Sequence, residues 1–258
     1  MNTNSVIDLS SIRSGCKNCG LCEFCLPSHS NTKKSQQFDL AIERSQKIER
    51  GQHLYHLNDP FNYVYVIHSG SVKTYLVMAN GKEQVTGFHL QGELLGLNSI
   101  STNFHTESAI ALETCSICRI PFDNLEKASR ENPAVQHTLL HLMSAEIQHD
   151  HYQLTLISRM SAEARLATFL LGLSYHYHNR GFSAREFHLS MTRTDIADLL
   201  GLAVETVSRV FSHFQEEGLL TVERRHIYLY DIEGLAAISP AYSSRPRLQS
   251  NNILNHVS

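Results

Sequence analysis

The 258-residue chain has no apolar run long enough to cross a membrane: its densest stretches are short ones such as ATFLLGL, against the roughly 18 to 20 residues a spanning helix needs. Its opening, MNTNSVIDLSSIRS, has no apolar core behind a basic end and no small-residue cleavage site. No secretory leader and no membrane partner are therefore expected, and a reducing, cytoplasmic setting is. There is no excess of positive charge either, with 22 Lys and Arg against 25 Asp and Glu, so the net charge gives no hint of a nucleic-acid partner. A Gly-rich phosphate loop, a nucleophile–base arrangement and an H-E-x-x-H pair are also missing. Without them nothing supports the substrate side of an enzyme, such as a small iron–sulfur oxidoreductase.

What is present is a 42% hydrophobic composition, enough for two ordinary cores. Residues 1–35 are polar and hold four of the six cysteines, Cys16, Cys19, Cys22 and Cys25. They end in SHSNTKKSQQ, which has too little apolar content to pack alone and reads as a tether that a metal could order. From 51 to 121 short β-branched and aromatic runs (YVYVIHSG, SVKTYLVMANG, EQVTGFHLQG, SAIALETCSICRI) are punctuated by glycines, and ANGKE is a hairpin turn because Asn-Gly readily takes positive φ. That predicts an antiparallel β-roll or sandwich over about 36–125.

After IPF the period becomes helical. Pro133 opens a helix of about 25 residues, within a segment taken as 126–160, whose Leu139 or Leu140, Met143, Ile147, Leu154 and Ile157 recur at three, four and seven. The seam is narrow, suited to pairing with a second copy, or else to lying on its own roll. His137, His141 and His149 fall near one stripe, read as a solvated face.

Residues 161–240 form a second domain, followed by a polar tail, 241–258. In MTRTDIADLLGLAVETVSRVFSHFQEEGLL, Thr192 or Thr194 can cap a first short helix, Gly201 supplies the positive φ that ends it, and VETVSRVFSHFQEEG resumes helical spacing. Two helices joined in this way make a helix-turn-helix. Val207, Val210, Phe211 and Phe214 form the second helix's apolar face, which leaves Glu205, Ser208 and Arg209 outward together. In a major groove Arg can donate twice to guanine, Glu can accept from cytosine, and Ser can serve base or phosphate. Glu205 and Arg209 are equally an i,i+4 surface pair. Ala203 is a poor N-cap. LLTVERRHIYLYD alternates like a wing with Arg224 and Arg225 at its tip. Between 161 and 235 stand seven Arg, no Lys and ten acidic residues, so affinity would rest on a few placed cations and on dimerisation.

The stretches GFHLQGELLG, ALETCSICRIPF, LMSAEI, GFSAREFHLSMTRTDIADLLGL and VETVSR resemble the CRP/FNR family of bacterial transcription regulators over nearly the whole chain, most closely its oxygen-sensing FNR branch. The resemblance implies an α+β fold: an N-terminal β-roll of the cyclic-nucleotide-binding jelly-roll kind, a long dimerisation helix and a C-terminal winged helix-turn-helix. It implies a [4Fe-4S] cluster as cofactor, held by a C-x2-C-x5-C run at Cys16, Cys19 and Cys25 and by Cys118, which the family's C-x-I-P-F sequence selects over Cys115. Residues three apart on a strand face opposite ways, so only one of that pair can serve. Two alternatives stay open, ligation by Cys22 in a ferredoxin-like C-x2-C-x2-C run and a structural zinc on four cysteines. The implied partners are palindromic double-stranded DNA, RNA polymerase and a second copy of the chain when the cluster is bound, with Ile147 favouring that pairing and Asp150 opposing it. Cyclic nucleotide is not expected, because Glu107 of FHTESAIALE stands where the nucleotide-binding branch uses an arginine for the phosphate.

Overall fold

The computed structural model describes residues 43–239, so the cysteine-rich leader and the tail lie outside it. The described chain divides into two compact units, one of 43–76 with 88–146, the other of 77–87 with 147–239.

Eight strands open the described chain: β1 (Glu43–Ile48), β2 (His53–Tyr55), β3 (Tyr63–Ser69), β4 (Val72–Val77), β5 (Glu83–His89), β6 (Leu94–Leu95), β7 (Ser108–Ala111) and β8 (Cys115–Pro121). They form two four-stranded sheets, ordered β1-β8-β3-β6 and β2-β7-β4-β5. The β8 pairings with β1 and β3, and the β7 pairings with β2 and β4, are antiparallel. The run YVYVI is apolar at every position because β3 is covered on both faces. Tyr65 and Ile67 join Tyr55, Val72, Leu95, Ala109, Ala111, Cys115 and Ile117 between the sheets. Val64 and Val66 point the other way and pack with Ile120 against helices.

Those helices are α1 (Phe122–Glu131) and α2 (Pro133–Arg159). Asn132 is extended between them, as expected of a residue preceding proline. Leu125 of α1 and Val135 of α2 are buried on the outer face of the first sheet, with Leu139 and Leu142 half-buried against the same cluster. Leu140 and Ile147, seven residues apart on α2, are 60% and 55% exposed. Helical geometry thus separates the two leucines the spacing left undecided: Leu139 serves the roll, while Leu140 and Ile147 form the outward seam.

The second unit carries α3 (Ala162–Asn179), β9 (Glu186–His188), α4 (Arg193–Leu200), α5 (Val204–Glu216), β10 (Leu220–Glu223), β11 (His226–Leu229) and α6 (Ile232–Ile238). Ser161 caps α3, its hydroxyl accepting from the Ala164 N–H at 3.1 Å. Leu166, Leu170 and Leu171 of α3 are fully buried, as are Ile196, Phe214, Leu220 and Ile227, so one core locks the three-helix arrangement to the β10-β11-β9 sheet. Among the described residues no helix is long and apolar enough to cross a membrane.

Candidate nucleic-acid interface and cysteine site

Local chemistry fixes the helix-turn-helix at both ends of α4. Thr192 is the N-cap: its hydroxyl accepts from the Asp195 N–H at 3.1 Å, while the Asp195 carboxylate accepts from the Thr192 N–H at 2.9 Å and its O–H at 2.6 Å. This closed capping box satisfies two donors that a helix start leaves unpaired. At the other end Gly201 takes φ 61°, ψ 42°, a left-handed conformation that glycine adopts without strain. A carbonyl freed there is met from α3, where Arg165 donates Nη1 to Leu200 O at 2.9 Å, while its Nε donates to Met160 O at 3.1 Å, just before α3. A cation at a helix C-terminus also opposes the negative end of its dipole.

The second helix starts at Ala203 with no side-chain cap. Its hold comes from burial: Val207, Val210, Phe211 and Phe214 face the core, and the Arg193 guanidinium lies 3.2 Å from the Phe211 ring centroid. Burial pushes the Arg193 pKa down to about 10, which leaves it charged at neutral pH, in the favourable place over an aromatic face. Glu205, Ser208 and Arg209 are all exposed on the opposite side, with Ser212 one turn on. Arg209 donates Nη2 to the Thr206 hydroxyl at 3.3 Å. The three outward residues therefore do share one accessible face.

At the wing, Arg224 is exposed and takes φ 59° in the turn between β10 and β11. Arg225 is committed elsewhere, donating Nη1 to Ser190 O at 3.1 Å. Only one of the two tip cations is thus presented outward. Sequence patterning had no way to show this, nor the roles of Arg165 and Arg193, because each is a contact between residues distant in the chain.

Cys16, Cys19, Cys22 and Cys25 lie outside the described residues, and so does the side chain of Asp150. Of the two cysteines on β8, Cys115 is sealed between the sheets, its thiol donating to Ser71 O at 3.2 Å and Glu113 O at 3.3 Å. Burial pushes that thiol's pKa up, which disfavours the thiolate a metal requires. A side chain on Gly70 would meet its sulfur at 2.7 Å, so the position is closed on that side as well. Cys118 is half-buried on the other face and packs against the cluster of Val66, Ile120 and Val135 that also receives Leu139 and Leu142. A half-exposed thiol on a fixed strand suits a soft metal centre, whereas Cys115 does not. Among the described residues no three His, Cys, Asp or Glu side chains are grouped to hold a metal ion.

Within the roll, Glu107 accepts from Asn98 Nδ2 at 2.8 Å and Ser108 Oγ accepts from the Leu57 N–H at 2.9 Å. Beside them His105 is 2% exposed and stacks on Tyr55, with centroids 3.6 Å apart and planes at 8°. Burial lowers the His105 pKa, against a smaller opposing effect of Asp59.

Comparison with known proteins matches residues 45–132 to a cyclic nucleotide-binding domain and 164–238 to a Crp-like helix-turn-helix domain. The transcriptional activator protein Anr of Pseudomonas aeruginosa is 42% identical over 87% of this chain and 92% of its own length. The fumarate and nitrate reduction regulatory protein of Yersinia pestis is 42% identical over 90% of this chain and 92% of its own. The structure of FixK2 from Bradyrhizobium japonicum superposes with a TM-score of 0.69 at 30% identity, over 76% of this chain and 97% of that one. A roll, a long helix and a winged helix-turn-helix in this order, with relatives so similar over most of their length, are conclusive: the chain is not an enzyme but belongs to the FNR branch of the CRP/FNR family of transcription regulators.

Proposed function

We propose that the protein is a cytoplasmic, oxygen-responsive activator of the FNR type. In this reading Cys16, Cys19, Cys25 and Cys118 hold a [4Fe-4S] cluster, and the cluster-bearing chain forms a homodimer that binds a palindromic promoter site and engages RNA polymerase. When bound, such a cluster supplies an oxygen-labile link between the leader and β8. Cys118 fixes the roll's end of that link, and the shared packing of Cys118, Leu139 and Leu142 on one cluster carries the reading. A leader tied at Cys118 bears on the surface that seats the start of α2, the helix whose Leu140 and Ile147 would meet those of a second copy. Asp150 would bring like charges together across that pairing and so oppose it until the bound cluster offsets the repulsion. Each protomer then presents Glu205, Ser208 and Arg209 to one major-groove half-site, two of which lie about one helical turn apart.

The roll's interior supports an input other than cyclic nucleotide. Glu107 places a carboxylate where a phosphate needs a cation, and both Glu107 and Ser108 already have internal partners. The test is anaerobic purification followed by iron and acid-labile sulfide assay, the visible spectrum, gel filtration with light scattering, and promoter footprinting, all repeated after exposure to air. A brown protein that loses colour, dimer and footprint together is the expected result. A colourless protein holding zinc, or a dimer and footprint indifferent to air, overturns the proposal.

A further inference from the structure

The wing sheet gives one face to the core and one to solvent. Val222, Ile227 and Phe187 are paired across its three strands, and Ile227 and Phe187 are buried. The next row toward the tip is Glu223, His226 and His188, and all three are exposed. Directly opposed residues project from the same face of a sheet. His188 and His226 therefore stand side by side on open surface, their ring centroids 5.6 Å apart and their planes at 73°.

That spacing is close to what a shared metal ion demands. A Zn–N bond of about 2.0–2.1 Å, plus about 1.1 Å from ring nitrogen to centroid, puts each centroid about 3.2 Å from the ion, so two imidazoles at a tetrahedral angle sit about 5.2 Å apart. The observed separation exceeds that figure by about 0.4 Å. Charged neighbours on this face are Glu223, paired across from His226, and Glu186, two residues before His188 on the same strand. Tyr228 stacks on His226 at 5.9 Å and 25°. Carboxylates flanking an imidazole pair favour a cation.

The geometry points to a divalent transition-metal site on the wing, formed by the imidazoles of His188 and His226 with water in the remaining positions. Two protein ligands make it an exchangeable site, for an ion of the zinc, nickel or copper class that prefers imidazole. Because it adjoins Arg224, a bound ion would add positive charge beside the outward cation of the wing tip. This site is independent of the cysteine cluster and of the oxygen response.

Histidine C2–H deuterium exchange, read residue by residue by mass spectrometry on the full chain under nitrogen, tests it with zinc as the probe. At free zinc about four times the dissociation constant one fifth of sites stay empty, so exchange at His188 and His226 should slow about fivefold, while exposed His213 on α5 is unchanged. His226→Asn should return His188 to its metal-free rate, and His188→Asn should do the same for His226. Exchange at the pair that ignores zinc, slows no more than at His213, or stays protected at one histidine after loss of the other, would overturn the assignment.

Discussion

Replacing Ile147 with alanine should weaken the cluster-bearing dimer without harming the fold of the protomer. Ile147 is 55% exposed on α2, so that fraction of its surface is available to a second copy. The substitution removes three carbons, worth about 2.4 kcal/mol if fully buried at about 0.8 kcal/mol each, of which 55% gives about 1.3 kcal/mol per copy. A two-fold interface counts the loss twice, about 2.6 kcal/mol, which corresponds to a dimer dissociation constant raised about 80-fold. Sedimentation equilibrium of the anaerobic, iron-loaded protein measures it, with thermal unfolding as the check that the protomer is intact. Asp150→Ala removes the opposing charge and should act the other way, holding the dimer and its footprint in air. A dissociation constant within threefold of the parent's for Ile147→Ala would show that this face is not the seam, and the dimer switch would fail with it.

Other outcomes follow from the contacts described above. Cys118→Ser should abolish the visible chromophore of the anaerobic protein, whereas Cys115→Ser should keep it, because a hydroxyl can still donate to Ser71 O and Glu113 O. Thr192→Ala opens the capping box and should lower the unfolding free energy of the second unit by about 1 kcal/mol in denaturant titrations; an unchanged midpoint would mean that Asp195 alone holds the turn. Arg209→Ala should cost about 1–3 kcal/mol at the operator and relax preference at one base pair, seen in competition footprinting with single-base variants. His105 is held neutral by burial, so the unfolded chain binds more protons and stability should fall as pH drops below about 6.5. The slope of unfolding free energy against pH should be smaller in His105→Gln, and an unchanged slope would assign it to other groups.

The parts of this fold that could be read from the sequence are those set by neighbours along the chain. Thr192 and Gly201 bound α4 through contacts three or four residues long, and the spacing of Val207, Val210, Phe211 and Phe214 states which side of α5 is buried. Outwardness of Glu205, Ser208 and Arg209 follows by elimination. What stayed hidden depends on atoms brought together by folding. Arg165 capping α4 from 35 residues away, Arg225 turned back onto Ser190, and Arg193 over Phe211 leave no periodic trace. A pattern of charges shows how many cations a domain has; it does not show which are already engaged. The choice between Leu139 and Leu140 was equally out of reach, because it depends on where the roll lies around the helix.

The two faces of the first sheet suggest why a roll of this shape can serve an input other than a nucleotide. A ligand entering between the sheets would have to displace the part-buried Leu57–Ser108 contact, and a polar group left unpaired in a buried site costs about 1–3 kcal/mol. A tie made at Cys118 meets no such obstacle, since it acts on the outer face. That face already receives Leu139 and Leu142, so a change in what is bound there reaches α2 through one layer of packed side chains. Close-packed layers of this kind transmit displacement poorly by bending and well by switching between discrete arrangements. In the reading proposed above, it is the position of Cys118, rather than the chemistry of the roll's interior, that would fit this protein to a signal arriving from its leader.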